Sequence, residues 1–264
     1  MSNIFFYFSG TGNSYAVSEM VAQKLGQATV DSIINIEKYP IEAYQKIGFV
    51  FPVYYNHAPQ IVINTIKKID LIASQRIFLI ATYGSACGYA MEDLEKVLNN
   101  KAHNIQEFGI RMPGNYILEY GAFPDRLQRL MLRKSEKIMA EVAEKIENDT
   151  VTERIKPGWL AKAFKSTADQ KVRTFGELGL QFWADENCIK CGKCVQICPA
   201  NNIKMLENEP IWDKHCQQCM ACVQWCPQDA VRHPKLKEGR KRYHHPQVSF
   251  NELCRINRDK VFEN

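Results

Sequence analysis

The sequence lacks any apolar run long enough to cross a membrane. About 20 consecutive apolar residues are needed to span a bilayer, and no stretch of the 264 residues approaches that length. The N-terminus also lacks the basic flank and the small-residue cleavage site of a signal peptide. We therefore expect a protein without a membrane span that stays in the cytoplasm.

Cysteine is scarce in most of the chain and concentrated in one part of it. Of the ten cysteines, eight fall between Cys188 and Cys226, and the first 180 residues contain only Cys87. A small secreted disulfide scaffold spreads its cysteines through the whole chain, so this distribution argues against such a scaffold. In a reducing compartment a cluster of this kind indicates metal ligation.

Positive charge is in modest excess and mostly dispersed. The formal net charge is +5, and basic residues are concentrated only near residues 232–242. A nucleic-acid-binding surface needs a denser basic footprint, so we expect no nucleic-acid partner. The stretch "RHPKLKEGRKRYHHP" at 232–246 is interpreted as a solvated extension, which could also dock an acidic partner.

The first 112 residues alternate short apolar or β-branched runs with helix-like stretches, which is typical of a parallel sheet covered by helices. The predicted strands lie at residues 3–8, 28–34, 46–52, 76–82 and 105–112. Helical periodicity is found at residues 14–25, 59–69, 89–99 and 124–147. The apolar positions of the last helix, which we interpret as core contacts, are Leu127, Leu130, Met131, Ile138, Val142 and Ile146.

A repeat of 28 residues marks a second, smaller domain. The sequence "CIKCGKCVQICPANNI" at 188–203 recurs as "CQQCMACVQWCPQDAV" at 216–231, with every cysteine and the proline in the same place. Such self-similarity indicates two copies of one structural unit. We predict a first domain at 1–150, a helical or irregular connector at 151–181, the repeat domain at 182–235 and a C-terminal extension at 236–264.

Each half of the repeat has the spacing C-x2-C-x2-C-x3-C-P. Three closely spaced thiolates can converge on one 4Fe-4S cubane, and in sequences with two such motifs the fourth cysteine ligates the other cluster. The expected ligand sets are Cys188, Cys191, Cys194 and Cys226 for one cluster, and Cys216, Cys219, Cys222 and Cys198 for the other.

The alternative is a pair of structural zinc sites, because zinc is also bound by four thiolates. Zinc ribbons present pairs of cysteines, however, and need neither the third cysteine nor a proline after the fourth. Cys87 and Cys254 are not expected to be ligands. Over residues 183–235 the chain resembles the bacterial two-cluster ferredoxins, which implies a small α+β domain that holds two 4Fe-4S clusters.

The segment "FSGTGNS" follows the first predicted strand and opens a predicted helix, where unpaired backbone N–H groups favour an anion. A P-loop requires a lysine after its second glycine, and none is present. A dinucleotide fingerprint requires a third glycine where this chain has Tyr15, although Asp31 lies at a suitable distance for a ribose-binding acid. A polar turn with a helix cap would account for Ser9 or Asn13, but not for four polar residues and two glycines.

The same segment closely resembles the FMN phosphate loop of flavodoxins. The residues that carry the resemblance are Ser9, Gly10, Thr11, Gly12, Asn13 and Ser14. It implies a doubly wound parallel sheet of five strands in the order 2-1-3-4-5, with the ligand at the carboxyl ends of the strands.

The resemblance also implies that the other strand-end loops line the flavin ring. These loops read "FPVYYNHAP", "TYGSACG" and "MPGNY", and the candidate residues in them are Pro52, Val53, Tyr54, Tyr55, Asn56, Thr82, Tyr83, Gly84, Gly88, Asn115 and Tyr116. Only one or two of the tyrosines are expected to touch the ring. His57 could donate a proton near the flavin, but a single histidine in a loop is more often a solvent-exposed bystander.

Taken whole, the chain resembles fusions of a flavodoxin-like domain with a two-cluster ferredoxin, a family of electron carriers in anaerobes. The resemblance implies electron transfer between FMN, two 4Fe-4S clusters and unidentified redox partner proteins. It assigns no catalytic residue. Two alternatives are a flavin-dependent reductase of a small organic acceptor, fed through the clusters, and a ferredoxin-type scaffold subunit of a larger redox complex.

Overall fold

The computed structural model describes residues 3–26, 28–99 and 101–254. By its internal contacts the chain forms two compact units. The first contains the residues up to Phe8, Ser14–Pro113 and Pro124–Val172. The second contains Ser9–Asn13, Gly114–Phe123 and the described chain from Arg173 on. The second unit therefore includes a short loop from near the N-terminus, which the linear domain ranges predicted from sequence do not include.

The first unit is built on a parallel sheet. Its strands are β1 (Asn3–Tyr7), β2 (Ala28–Ser32), β3 (Lys46–Pro52), β4 (Arg76–Tyr83) and β5 (Asn104–Arg111). They lie in the order β2-β1-β3-β4-β5, and every neighbouring pair is parallel. The predicted order 2-1-3-4-5 is confirmed.

The central strands are apolar on both faces because both faces are covered. In β3, the residues from Ile47 to Phe51 are all buried, and in β4 the residues from Ile77 to Thr82 are all buried. Continuous apolar runs of this kind are typical of parallel sheets with helices on each side. Each run places its following loop at the carboxyl edge of the sheet.

The helices from this part of the sequence begin and end within one residue of the predicted bounds. They are α1 (Asn13–Lys24), α2 (Gln60–Lys68), α3 (Ala90–Leu98) and α4 (Asp125–Glu147). In α4, Val142 and Ile146 are buried, but Leu127 and Leu130 are exposed. The interpretation of these two leucines as core contacts was therefore wrong, since the buried residues of α4 begin at Ser135, beyond both of them.

Residues 151–181, predicted to be helical or irregular, contain three short helices. They are α5 (Trp159–Ala163), α6 (Lys165–Arg173) and α7 (Phe175–Gly179). None of the helices in the described ranges has both the length and the apolar character of a membrane span.

The second unit contains two small antiparallel sheets. Strands β6 (Trp183–Ala184) and β9 (Val231–Arg232) form one, and the hairpin of β7 (Ile203–Leu206) and β8 (Glu209–Trp212) forms the other. The helices are α8 (Lys193–Ile197), α9 (Ala221–Gln224) and α10 (Phe250–Cys254). The buried core of this unit includes Ile117, Leu118, Phe182, Ile203, Trp212, Met220, Val223 and Val231.

The 28-residue repeat is visible in the backbone as well as in the sequence. Lys190 and Gln218 both have a positive φ, at 58° and 54°, and Gly192 and Met220 follow at 69° and 62°. Gly192 and Met220 immediately precede α8 and α9. Both cysteine motifs therefore wind through the same left-handed turns before a short helix.

Glu107 in β5 is a buried carboxyl group in the first unit. It is 4% exposed, and its Oε2 accepts a hydrogen bond of 2.7 Å from the Ile155 N–H. Burial, with a smaller contribution from the neighbouring Glu95, raises the pKa of Glu107 to about 7 against the lowering effect of the Ile155 N–H. The folded protein therefore holds a proton here that the unfolded chain releases near pH 4.5.

We expect Glu107 to make the protein less stable as the pH rises from about 4.5 to 7. A folded-state pKa above the unfolded value gives stability that is fully present below the unfolded pKa and is lost as the pH rises through the folded pKa. Glu107→Gln should remove this loss, a difference on the order of 1 to 3 kcal/mol between pH 5 and pH 8. Urea unfolding followed by circular dichroism at both pH values measures it. A Gln variant with the same pH slope as the native protein would contradict the assignment.

Candidate functional site

Four cysteines from both repeats line one cavity of the second unit. They are Cys188, Cys191 and Cys194 from the first motif and Cys226 from the second, together with apolar neighbours such as Ile189. This is the first of the two ligand sets expected from the spacing. The fourth cysteine of the second motif therefore lies with the first motif.

The complementary quartet lines a separate cavity. Cys216, Cys219 and Cys222 from the second motif meet Cys198 from the first. The arrangement places the two crossed sets of four thiols around two different cavities, although the ligation itself stays a prediction. Cys87 and Cys254 line neither cavity.

Backbone N–H groups point at three of these sulfur atoms. The Asn202 N–H donates to Cys198 Sγ at 3.3 Å, and the Ala230 N–H donates to Cys226 Sγ at 3.2 Å, 28 residues later. Cys216 Sγ accepts from the Gln218 N–H at 3.3 Å. Such donors favour the thiolate over the thiol, and around iron–sulfur clusters they tune the reduction potential.

Burial has the opposite effect on these thiols. Burial, with smaller contributions from the nearby Cys188, Cys191 and Cys226, raises the pKa of Cys194 to about 12. Burial also raises the pKa of Cys216 to about 11. Four thiolates around a buried cavity are unfavourable unless a cationic centre lies between them, because each disfavours the charge of the others. This donor set fits an iron–sulfur core.

The two quartets differ in their access to solvent. Cys191 is exposed and Cys188 is partly exposed, whereas Cys198 and Cys219 are 7% and 8% exposed. Ile189, between two residues of the first motif, is 60% exposed. Of the two cysteine motifs, the first is therefore the more exposed to solvent.

Residues Ser9–Asn13, here called the N-terminal loop, connect β1 to α1. All of its polar side chains are neutral and buried, with Thr11 only 1% exposed. The Gly12 N–H donates to Ser9 Oγ at 3.1 Å, and Gly12 has a φ of +95°, which only glycine adopts without strain. Because α1 begins at Asn13, the loop leads directly into the N-terminal end of a helix, where the helix dipole favours an anion.

The loop is bonded within the second unit to Asn115, which the sequence indicated as a cofactor contact, and to Trp225, which it did not indicate. Asn115 Nδ2 donates to Thr11 Oγ1 at 2.6 Å, and Trp225 Nε1 donates to the Gly10 carbonyl at 3.0 Å. A Cβ added at Gly10 would overlap the carbonyl oxygen of Cys219. The loop and the second cysteine motif are thus in direct contact.

Residues 240–250, here called the C-terminal segment, also cover the loop. The Tyr243 hydroxyl donates to Asn13 Oδ1 at 2.7 Å, and the His245 N–H donates to the Thr11 carbonyl at 2.8 Å. Tyr243 and His245 are each 3% exposed. The interpretation of 232–246 as a solvated extension was therefore wrong for Tyr243 and His245, whereas Lys235, Lys237 and Lys241 are exposed as expected. The tyrosine and histidines of "RYHHP" could have indicated that this part of the chain is buried. The many basic residues of 232–246 instead suggested exposure to solvent.

In the first unit, the loop after β3 forms a tight turn. Tyr54 and His57 exchange two backbone hydrogen bonds, at 2.9 and 3.0 Å, while Tyr55 and Asn56 have positive φ angles of 46° and 67°. Gly88 also has a positive φ, and a Cβ there would overlap Asn56. The two predicted ring-lining loops therefore pack against each other.

The other predicted ring-lining residues of this unit lie at the ends of β3 and β4 or directly after them. The Val53 N–H donates to the Thr82 carbonyl at 2.9 Å, and the Thr82 and Ser14 hydroxyls are 2.8 Å apart. Tyr83 is partly buried, and burial raises its pKa. The Gly84 carbonyl accepts from Arg111 Nε at 2.9 Å, and Pro52 ends β3. Their contact with a flavin stays a prediction.

His57 is held by two carboxylates. Its Nδ1 lies 2.8 Å from Asp93 Oδ2 and its Nε2 lies 2.9 Å from Asp169 Oδ1, with the side chain 13% exposed. The ring stacks on Tyr89 at 5.8 Å between centroids. The expectation that His57 is a solvent-exposed bystander was wrong, because the partner carboxylates come from α3 and α6 and could not be paired with it from the sequence.

Tyr116, a predicted ring contact, packs against the core of the second unit. Its hydroxyl lies 3.4 Å from Gln218 Oε1, a side chain of the second cysteine motif. Asn115 bonds the N-terminal loop as described above. The contacts of both residues with a flavin stay predictions.

The parallel sheet, the glycine-containing loop at its first strand and the two cysteine quartets define a flavodoxin-type fold joined to an iron–sulfur domain. Residues 4–150 match the family model described as a flavodoxin domain, and residues 187–231 match the model described as a 4Fe-4S dicluster domain. The chain belongs to the flavodoxin family and is a flavodoxin–ferredoxin fusion. The two matches indicate an electron-transfer flavoprotein that uses FMN and 4Fe-4S chemistry.

Two flavodoxins are among the solved structures to which this chain is similar. Flavodoxin 2 from Bacillus cereus is 13% identical, with a TM-score of 0.44 over 56% of this chain and 99% of that chain. A flavodoxin from Fusobacterium nucleatum, bound to flavin mononucleotide, is 16% identical, with a TM-score of 0.42 over 56% of this chain and 98% of that chain. Comparison with curated proteins gave no match.

Proposed function

We propose that this protein carries electrons between FMN and two 4Fe-4S clusters and exchanges them with redox partner proteins. The observation that carries the proposal is the gathering of eight cysteines into two crossed quartets, each around its own cavity. A single-cluster protein would need only one such set. Bound FMN supplies one- or two-electron chemistry, and each cubane supplies one-electron chemistry.

The N-terminal loop and the start of α1 are the proposed site of the FMN phosphate. The loop combines the Ser9 and Thr11 hydroxyls, the Asn13 amide and the first N–H groups of a helix, all of which can donate to phosphate oxygens. Ser14 adds a buried hydroxyl at the first turn. A neutral site of this kind holds the dianion through directed hydrogen bonds and the helix dipole, without a lysine.

The partner-facing end of the protein is proposed to be the first cysteine motif. Cys191 is exposed, and so are Ile189 and Lys190, which lie between the first two cysteines of the quartet. Electron exchange between proteins requires close approach to the redox centre, so the more accessible quartet is the better contact point. A mixed apolar and basic rim suits a partner with an acidic docking patch.

Anaerobic purification followed by cofactor analysis tests this proposal. We expect one FMN and about eight iron atoms per chain, four for each cluster. Iron and acid-labile sulfide, together with chromatography of the released flavin, measure these contents. FAD in place of FMN, or zinc in place of iron, would overturn the proposal.

A further inference from the structure

Gln224 lies in the sequence between a cysteine of one quartet and a cysteine of the other. Its side chain connects the backbones of Asn115 and Tyr243. It is in α9, two residues after Cys222 and two before Cys226, and it is 4% exposed. Its Nε2 donates to the Asn115 carbonyl at 2.7 Å, and its Oε1 accepts from the Tyr243 N–H at 2.7 Å. One buried amide therefore fixes the backbone of both Asn115 and Tyr243.

Asn115 and Tyr243 in turn each hold one polar side chain of the N-terminal loop. Asn115 Nδ2 donates to Thr11 Oγ1 at 2.6 Å, and the Tyr243 hydroxyl donates to Asn13 Oδ1 at 2.7 Å. The loop backbone is fixed as well, because the His245 N–H donates to the Thr11 carbonyl at 2.8 Å. These three hydrogen bonds, together with the bond from Trp225 to the Gly10 carbonyl, join the loop to residues that are distant in the sequence.

These bonds decide which end of each loop side chain donates. A hydroxyl oxygen that accepts from Asn115 keeps its hydrogen as a donor, so Thr11 is oriented as a donor to another acceptor. Because the carbonyl end of Asn13 is taken by Tyr243, its amide nitrogen is the end that can donate to an anion. Thr11 through its hydroxyl and Asn13 through its amide group can therefore both donate hydrogen bonds to one phosphate.

We propose that Gln224, Asn115 and Tyr243 are positioning residues for the FMN phosphate, so that flavin affinity depends on the second cysteine motif and on the C-terminal segment. This inference rests on the proposed FMN site in the N-terminal loop. Because Gln224 lies between two expected cluster ligands, the folding of the second motif and the binding of flavin are coupled, and each stabilises the other.

Tyr243→Phe tests the inference with the loss of a single oxygen atom. We expect the dissociation constant of FMN to rise about 5- to 20-fold, since one oriented hydrogen bond is lost, while the iron content stays at the native level. Tyr39→Phe is the matched control, because it removes the same atom from a hydroxyl that donates at 2.8 Å to Asp31, a residue outside the loop. Anaerobic titration of flavin fluorescence gives the constants.

A double-mutant cycle separates positioning from general packing. If Tyr243 acts through Asn13, then Tyr243→Phe should weaken FMN binding much less in an Asn13→Ala background than in the native one. Additive effects would overturn the inference, as would unchanged or tighter FMN binding by Tyr243→Phe, which would mean that the C-terminal segment competes with the phosphate. Loss of iron from Tyr243→Phe with FMN in saturating excess would also overturn it, because the variant would then have lost the fold of the cysteine motif and not one hydrogen bond to the loop. If the native protein binds no FMN, the proposed function itself fails.

Discussion

Cys198→Ala is expected to lose the same iron–sulfur cluster as Cys219→Ala, although the two residues belong to different motifs. Cys198 lines the cavity of Cys216, Cys219 and Cys222, and no cysteine of its own motif accompanies it there. Removing one of four thiolates from a cubane leaves an iron site without its ligand. Each variant should therefore fall from about eight to about four iron atoms per chain.

Cys226→Ala and Cys191→Ala form the reciprocal pair. Both side chains line the other cavity, so these variants should retain the cluster that the first pair loses. Each pair of variants should retain one cluster, and a different one. Anaerobic electron paramagnetic resonance of the reduced proteins distinguishes the cluster that the first pair retains from the one that the second pair retains, because the two differ in burial. Local ligation predicts the opposite grouping, in which Cys198→Ala resembles Cys191→Ala. That spectrum would refute the crossed arrangement.

The second large effect is expected at the N-terminal loop. Replacing Thr11 and Ser14 together by alanine removes two buried hydroxyls from the proposed phosphate site. Hydrogen bonds to a charged group contribute about 1.5 to 3 kcal/mol each, so FMN binding should weaken at least about 100-fold. Flavin titration gives the affinity, and iron analysis should show unchanged clusters.

A matched control for this double variant is available in α6. Ser166 and Thr167 are an exposed serine and threonine, and replacing both by alanine removes the same two hydroxyl types from a helix. This control should bind FMN as the native protein does. If the Thr11 and Ser14 variant also binds FMN normally, the phosphate does not lie in the N-terminal loop.

The sheet and the cysteine quartets could be predicted because their signals are local. Each strand is a short apolar run, and the strand order followed from the loop at 9–14 through the resemblance it carries. The crossed quartets followed from a repeat whose spacing leaves the fourth cysteine beyond reach of the first three. In both cases a few adjacent residues contain the information.

The surroundings of the loop could not be predicted because they depend on distant pairings. Nothing near Asn13 indicates Tyr243, and the glutamine at position 224 looks like a solvent-facing residue of a short helix. His57 was misjudged for the same reason, since its carboxylate partners lie 36 and more residues away. Buried polar groups are satisfied by whatever the tertiary fold brings near them, which a local pattern does not show.

The hydrogen bonds of the N-terminal loop also set an order of events during synthesis. The bond from Trp225 to Gly10 joins positions 215 residues apart, and the bond from Tyr243 to Asn13 joins positions 230 apart. At about 5 to 20 residues per second, the loop emerges from the ribosome on the order of 10 to 50 s before Tyr243 does. The parallel sheet can therefore form on the nascent chain while the loop still lacks its partners. On the proposed FMN site, we therefore expect FMN insertion to be a late step, completed after the cysteine motifs have been translated.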